Sequence, residues 1–262
     1  MTMNFHARSN REMYTGRQAD PGWVELIGSH VKLTGARAAD IGCGGGIYTA
    51  ALSLLGAESV VGIDFSAAML EGASAACAKL TNVQFQQGNA LALGLPDASL
   101  DVVLERALIH HLTKEELADC CREAYRILAP GGTLIVQDRT PQDSLIEGST
   151  EHVRGYFFEK FPKLIAKETG RRHESSAVVQ ALEAGGFSAV QELPLWETRR
   201  RFERFDQFAA DIRKRTGRTI LHELSDEELV QLTDYIRERT GCEDEQPIED
   251  KDRWTVWIAR KH

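Results

Sequence analysis

The residues best suited to chemistry lie in one short run, Ala39-Asp40-Ile41-Gly42-Cys43-Gly44-Gly45-Gly46. Consecutive glycines let a backbone turn tightly and approach a ligand closely, and a helix that starts on such a turn favours negative groups at its N-terminus. A second acid, Asp64, closes the apolar run Val60-Val61-Gly62-Ile63. A carboxylate at a strand end can accept hydrogen bonds from both hydroxyls of a ribose. The glycine spacing is G-x-G-x-G, with Asp40 two residues before it. A dinucleotide fingerprint needs a third glycine for close helix packing. Counted from Gly42 and Gly44 that place holds Ile47, and counted from Gly44 and Gly46 it holds Thr49. The spacing therefore argues against a nicotinamide enzyme.

His110 and His111, in Glu105-Arg106-Ala107-Leu108-Ile109-His110-His111-Leu112, are the other candidates, because an imidazole titrates near neutrality and can take a proton. One of the pair could instead cap the next helix or pack on a sheet. The five cysteines, Cys43, Cys77, Cys120, Cys121 and Cys242, show no C-x-x-C spacing and no His/Cys cluster, so reduced thiols and no metal site are expected.

These residues are spaced by alternating strand and helix signals. Strands are expected at Ala36–Ile41, Ser59–Asp64, Val83–Gln87, Asp101–Glu105 and Thr133–Asp138, mostly as the continuous apolar runs of a sheet covered on both faces. Helices are expected at Ile47–Leu55, Ala67–Leu80 and Lys114–Leu128, the last opened by the capping box Thr113-Lys114-Glu115-Glu116. Repeated βα units imply a doubly wound α/β sheet. After Arg139 the pattern loosens. Residues 140–173 read as irregular to helical with aromatics at Tyr156, Phe157, Phe158 and Phe161, and Ser176–Ala184 as a helix stopped by Gly185-Gly186. Phe187–Trp196 reads as a strand and 203–241 as a polar helical section. That section's last helix opens at Ser225-Asp226-Glu227-Glu228, with Leu229, Leu232 and Ile236 on one face and Gly241 as its stop. An acidic loop, Glu243 to Asp252, leads to a last strand, Trp254–Ala259.

From here the chain resembles the class I S-adenosylmethionine (SAM)-dependent methyltransferase family. Besides the glycine loop and Val60–Asp64, the matching motifs are Gly88-Asn89-Ala90 after the third strand, Leu95–Val103, and Ala124–Leu134. The resemblance covers roughly the first 140 residues. It implies a Rossmann-like, seven-stranded, mostly parallel sheet with helices on both faces, and helical inserts after strand 5 and between strands 6 and 7. The expected parts are a cofactor-binding core at 1–139, an insert or lid at 140–173, and the rest of the core at 174–262 with its own insert at 203–241. It further implies that Asp40, Gly42, Cys43 and Gly44 contact the cofactor, and that Asp64 holds the ribose. Phe65 and Met69 would wall the adenine, with core packing as the plainer reading of Met69. Gly88, Asn89 and Ala90 would face the adenine edge, Asn89 standing where the family usually has an acid. Backbone of Glu105 or Arg106 would lie near the methionine ammonium. Tyr14 and Arg17 belong to an N-terminal segment that would fold over the cofactor, with Arg17 on its carboxylate, or else form a solvated arm. His110 and His111 would face the methyl acceptor.

The expected activity is direct displacement from the SAM sulfonium onto an O, N or C atom of a small molecule, releasing S-adenosylhomocysteine (SAH). Rivals are an RNA or protein methyltransferase, arsenite methylation, and a non-catalytic SAM-binding regulator. A net charge of −8 argues against nucleic acid. Arg199-Arg200-Arg201 with Arg204 is the one basic run, readable as a solvated face or as a contact for an anion. The N-terminal residues lack the apolar core of a secretory signal and no run approaches the ~20 apolar residues of a membrane span. A cytoplasmic monomer or homodimer is the expectation.

Overall fold

The computed structural model describes residues 18–262. The chain divides into two compact units. The described part of the α/β unit comprises 18–138, 173–195 and 255–262; that of the helical unit comprises 139–172 and 196–254.

The α/β unit begins with α1 (Pro21–His30), whose N-cap Asp20 accepts a hydrogen bond from Gly22 N–H. Then follow β1 (Arg37–Ile41), α2 (Ile47–Leu54), β2 (Ser59–Asp64), α3 (Ala67–Ala76), β3 (Val83–Gln87) and β4 (Leu100–Arg106). A 3₁₀ turn at Ile109–His111 leads to α4 (Lys114–Ile127) and β5 (Leu128–Asp138). The expected capping box is present: Thr113 Oγ1 accepts from Glu116 N–H, and Glu116 accepts from Thr113 N–H. After a first helical insertion come α8 (Ser175–Ala184) and β6 (Ser188–Phe202), and after a second comes β7 (Ile248–Arg260).

The sheet has seven strands in the order β3-β2-β1-β4-β5-β7-β6. The first five pair in parallel and β7 runs antiparallel to β5, with Leu134 opposite Ala259 and Val136 opposite Trp257. The order reverses between β1 and β4, so the turns after these two strands flank the switch point where ligands bind in such sheets. The core of this unit is mainly aliphatic, built from Ile41, Ile63, Val103, Leu134 and Val136 of the sheet against Leu117, Cys121, Ile127 and Leu182 of the helices, with Phe187 and Trp257 among them.

The helical unit contains the short α5 (Pro141–Ser144), α6 (Gly155–Lys160) and α7 (Lys163–Thr169), then α9 (Phe205–Arg213) and α10 (Asp226–Thr240). Its core is aromatic as well as aliphatic: Tyr156, Phe157, Phe158, Phe202, Phe205 and Phe208 pack with Leu229, Leu232 and Ile236. The section expected to be polar thus carries its own apolar core. The capping box at Ser225 forms, and Gly241 ends α10 in the left-handed conformation.

Three strands extend well beyond their sequence expectations: β5 begins at Leu128 rather than Thr133, running through the expected turn Ala129–Gly132. β6 continues past Trp196 through the arginine run to Phe202, and β7 begins at Ile248, inside the stretch read as an acidic loop. Within Ile248–Asp252 the residues alternate between buried and half-buried, Asp250 and Asp252 facing inward. Such a stretch has the period of a strand but the composition of a loop, and ion pairs to arginines make its burial tolerable.

Candidate active site

The turn from β1 into α2 is shaped by three left-handed glycines, Gly42 (φ 72°), Gly44 (φ 51°) and Gly46 (φ 79°), a conformation that other residues adopt only with strain. The turn is tied to β2 from below: Gly42 and Cys43 N–H both donate to the Ile63 carbonyl, at 2.7 and 3.0 Å. Asp64 then reaches back. Its Oδ2 accepts from Gly44 N–H and its Oδ1 from Ser66 N–H, each at 2.9 Å. This carboxylate is buried and locked in one orientation at the end of β2, while Phe65 beside it leaves 52% of its surface exposed. Met69 is buried, and its methyl carbon lies 3.4 Å from where a Cβ on Gly44 would sit, so it both packs the core and backs the turn. Gly88 N–H donates to the Asp64 carbonyl at 3.0 Å, which brings Gly88-Asn89-Ala90 alongside. Asn89 is exposed, and its Oδ1 accepts from Leu91 N–H at 3.0 Å.

Asp40 is buried and accepts a 2.6 Å hydrogen bond from the Thr49 hydroxyl, which pins the first turn of α2 to β1. Burial pushes its carboxyl up to about 6, against the pull of Thr49 and the nearby Arg106 guanidinium. Burial likewise holds the Cys43 thiol far above its ordinary range, leaving it protonated and unreactive.

At the end of β4, neighbouring residues part ways. Glu105 is buried; its Oε1 accepts from the Cys120 thiol, its Oε2 has no hydrogen-bond partner among the described residues, and burial raises its carboxyl to about 7. Arg106 stacks over Tyr48, its guanidinium carbon 4.0 Å from the ring centroid. Tyr48 meets Trp23 edge to face at 4.9 Å, and Trp23 Nε1 donates to Gln137 Oε1 at 2.8 Å. An aromatic stack thus holds the Arg106 guanidinium near Asp40.

His110 Nδ1 lies 2.8 Å from Asp138 Oδ2, and His110 backbone N–H donates to the same oxygen at 3.2 Å. Asp138 is buried at the end of β5, as Asp64 is at the end of β2. His173 fixes the 3₁₀ turn from the other side, its Nε2 meeting the carbonyls of Ile109 and Leu112 at 3.0 and 3.1 Å. His111 is exposed, with its ring 4.0 Å from that of His110.

The methyltransferase-domain family matches residues 39–136, from the strand before the glycine turn to the strand bearing Asp138's neighbours. This chain carries a class I methyltransferase domain. An uncharacterized methyltransferase, YcgJ of Bacillus subtilis, is 30% identical over 160 residues, 58% of this chain and 62% of that protein. The ubiquinone biosynthesis O-methyltransferase of Methylococcus capsulatus is 34% identical over 125 residues, 47% of this chain and 52% of that protein. The chain therefore spans about half to three-fifths of the length of these relatives. Among solved structures, phosphoethanolamine N-methyltransferase 2 of Haemonchus contortus, in complex with phosphomonomethylethanolamine and SAH, superposes with a TM-score of 0.60 at 19% identity. That overlay covers 99% of this chain and 58% of the other, and it speaks to the fold.

In the methyltransferase domain, Gly42, Cys43, Gly44, Asp64, Met69 and Gly88 are brought together by the contacts above; Asp40 is tied instead to Thr49, and Phe65 follows Asp64 in the chain. Tyr14 and Arg17 lie outside the described residues. Sequence reasoning missed Asp138, although an acid closing an apolar strand was the very signal used for Asp64. It also missed His173 and the Trp23–Tyr48 stack, which carry no local signature. The basic run is heavily paired within the helical unit: Arg199 with Asp250 and Asp211, Arg200 with Asp211, Arg201 with Glu249, and Arg204 with Asp206 and Glu245. No group of three or more His, Cys, Asp or Glu suited to a metal occurs among the described residues, and no helix there is long and apolar enough to cross a membrane.

Proposed function

We propose that the methyltransferase domain binds SAM at the glycine turn and transfers its methyl group to a small-molecule acceptor. The observation that carries this reading is the Asp64 carboxylate, fixed by Gly44 and Ser66 N–H at the end of β2. Two backbone donors leave lone pairs on both oxygens for a pair of ribose hydroxyls. The surroundings fit the rest of SAM. Exposed Phe65 offers an aromatic face to adenine, with Asn89 and Ala90 beside it. The N–H groups of the Gly42–Gly44 turn are taken by Ile63 and Asp64, so the turn offers carbonyl groups, suited to the ammonium of the amino-acid end. Because Asp40 and Asp64 already carry negative charge near the turn, a methionine carboxylate needs a cation there, and the Arg106 guanidinium, held on Tyr48, supplies it.

SAM brings an activated methyl group on a sulfonium; the chain supplies alignment and proton management. His110, oriented through Nδ1 by Asp138, presents Nε2 as the base for a protonated acceptor, and Asp138 stabilises the imidazolium that forms. This arrangement favours a hydroxyl acceptor, in keeping with the O-methyltransferase name of the Methylococcus capsulatus relative. The extensive pairing of the basic run weighs against a nucleic-acid acceptor. The test is transfer of labelled methyl from SAM across a panel of small phenolic and enolic compounds. On any acceptor found, His110→Gln is expected to lose about 10²- to 10⁴-fold in kcat with SAH affinity retained. Retained turnover in that variant removes His110 from the chemistry; label passing only to RNA or protein removes the small-molecule reading.

A further inference from the structure

The helical unit concentrates guanidinium groups on few carboxylates. Glu168 in α7 is fully buried and meets three of them: Arg171 at 2.7 Å, Arg172 at 2.8 Å and Arg154 at 2.9 Å. Asp252 takes Arg139 at 2.6 Å and lies 3.7 Å from Arg218, which also pairs with Asp250. Arg154 and Arg218 are each only 4% exposed. Yet Arg154 Nε and Arg218 Nε are buried N–H donors with no hydrogen-bond partner among the described residues, while Arg218 Nη1 has only its 3.7 Å ion pair with Asp252 Oδ1. A buried guanidinium ordinarily satisfies all its donors, and orphaned ones mark the place of an unseen polar group. The walls around them are aromatic: Phe158 lies 5.7 Å from the Arg154 guanidinium carbon, Phe157 5.2 Å from that of Arg218, and Trp254 3.9 Å from that of Arg139. Burial holds Arg139 down at about 9 and lowers Arg154 too, so at these two the carboxylates present do not fully offset the desolvation, whereas Arg218 is raised against its burial by Asp250 and Asp252.

We propose that Arg154 and Arg218 of the helical unit form a binding site for an oxyanion, the carboxylate or phosphate group of a small molecule. A planar oxyanion matches the paired N–H groups of a guanidinium, and in a site walled by aromatic rings each such bond is charge-assisted and little screened. Glu168 competes with the ligand, because it already draws on Arg154. The site stands apart from the methyl-transfer reading, and its test needs neither SAM nor turnover.

Thermal unfolding of the full chain is followed in sodium phosphate, sodium succinate and sodium chloride at matched ionic strength. Phosphate or succinate is expected to raise the midpoint by several degrees and to saturate, with chloride inert. A response to succinate alone identifies a carboxylate ligand, and a response to phosphate alone a phosphoryl one. Arg154→Gln abolishes the rise. Arg154→Lys, which keeps the charge and is expected to fold, weakens the half-saturating concentration severalfold by losing the planar fork. Glu168→Gln, with one competitor removed, tightens it about fivefold. Midpoints that follow ionic strength alone in the wild type, or an undiminished anion response in both Arg154 variants, would overturn the site.

Discussion

The two units solve opposite electrostatic problems. In the α/β unit, the glycine turn and Asp64 are held by main-chain groups. Asp64 is held by backbone N–H groups two and twenty residues away, and the glycine turn hangs on one carbonyl of the adjacent strand. In the helical unit, buried charges find one another across long stretches of chain: Arg139 pairs with Asp252, and Arg218 with Asp250. The first arrangement builds a rigid cradle from main-chain geometry and spends little side-chain entropy. The second depends on several side chains being buried together, so removing one member strands the others. A cradle of the first kind rests on main-chain geometry; a charged interior of the second kind rests on the identity of each side chain.

The contrast is open to test, beginning with the largest effect. Glu168→Ala strands buried guanidiniums and is expected to lower stability by about 3–5 kcal/mol in chemical denaturation, while the folded fraction keeps its SAH affinity. A loss below about 1 kcal/mol would mean that solvent already shields this cluster. Asp64→Ala should do the reverse, costing about 3 kcal/mol of SAH binding, on the order of 100-fold, because two charge-assisted ribose contacts go.

Glu105 sets a pH dependence. Its carboxyl sits at about 7 in the folded state against 4.5 in an ordinary setting, so the folded protein holds the proton more tightly. Stability is therefore expected to fall as pH rises from about 4.5 to 7, by about 3 kcal/mol from this group alone. Glu105→Gln should flatten that slope and be the more stable protein at pH 8. An unchanged slope in the variant assigns the pH response elsewhere. Smaller still, Arg106→Gln should weaken SAH by about 1.5–3 kcal/mol and leave 5′-methylthioadenosine, which lacks the amino-acid carboxylate, unaffected. Equal losses for both compounds would place Arg106 away from the methionine end.

The same contrast explains what the sequence made legible. The glycine turn, Asp64, the capping boxes at Thr113 and Ser225 and the Gly241 stop are local signals, each readable because its physical cause lies within a few residues. Strands β1, β2 and β4 read almost to their ends, since a fully covered strand is a largely continuous apolar run, while β3 is a half-exposed edge strand with three glutamines. Ile248–Asp252 did not read as strand, because its inward positions hold Asp250 and Asp252, and only partners some thirty to over one hundred residues away make their burial tolerable. The His110–Asp138 pair was half legible: the histidine by type and place, its partner only once β4 and β5 lay side by side. Arg154 and Arg218 gave no signal at all, since single arginines in polar stretches look like surface.

The most direct measurement is calorimetric titration of the full chain with SAH and, separately, with NAD, repeated on Asp64→Ala. A SAM-binding turn gives saturable SAH binding that the substitution reduces on the order of 100-fold, and no heat with NAD. Binding of NAD in place of SAH, or SAH binding indifferent to Asp64, would contradict it.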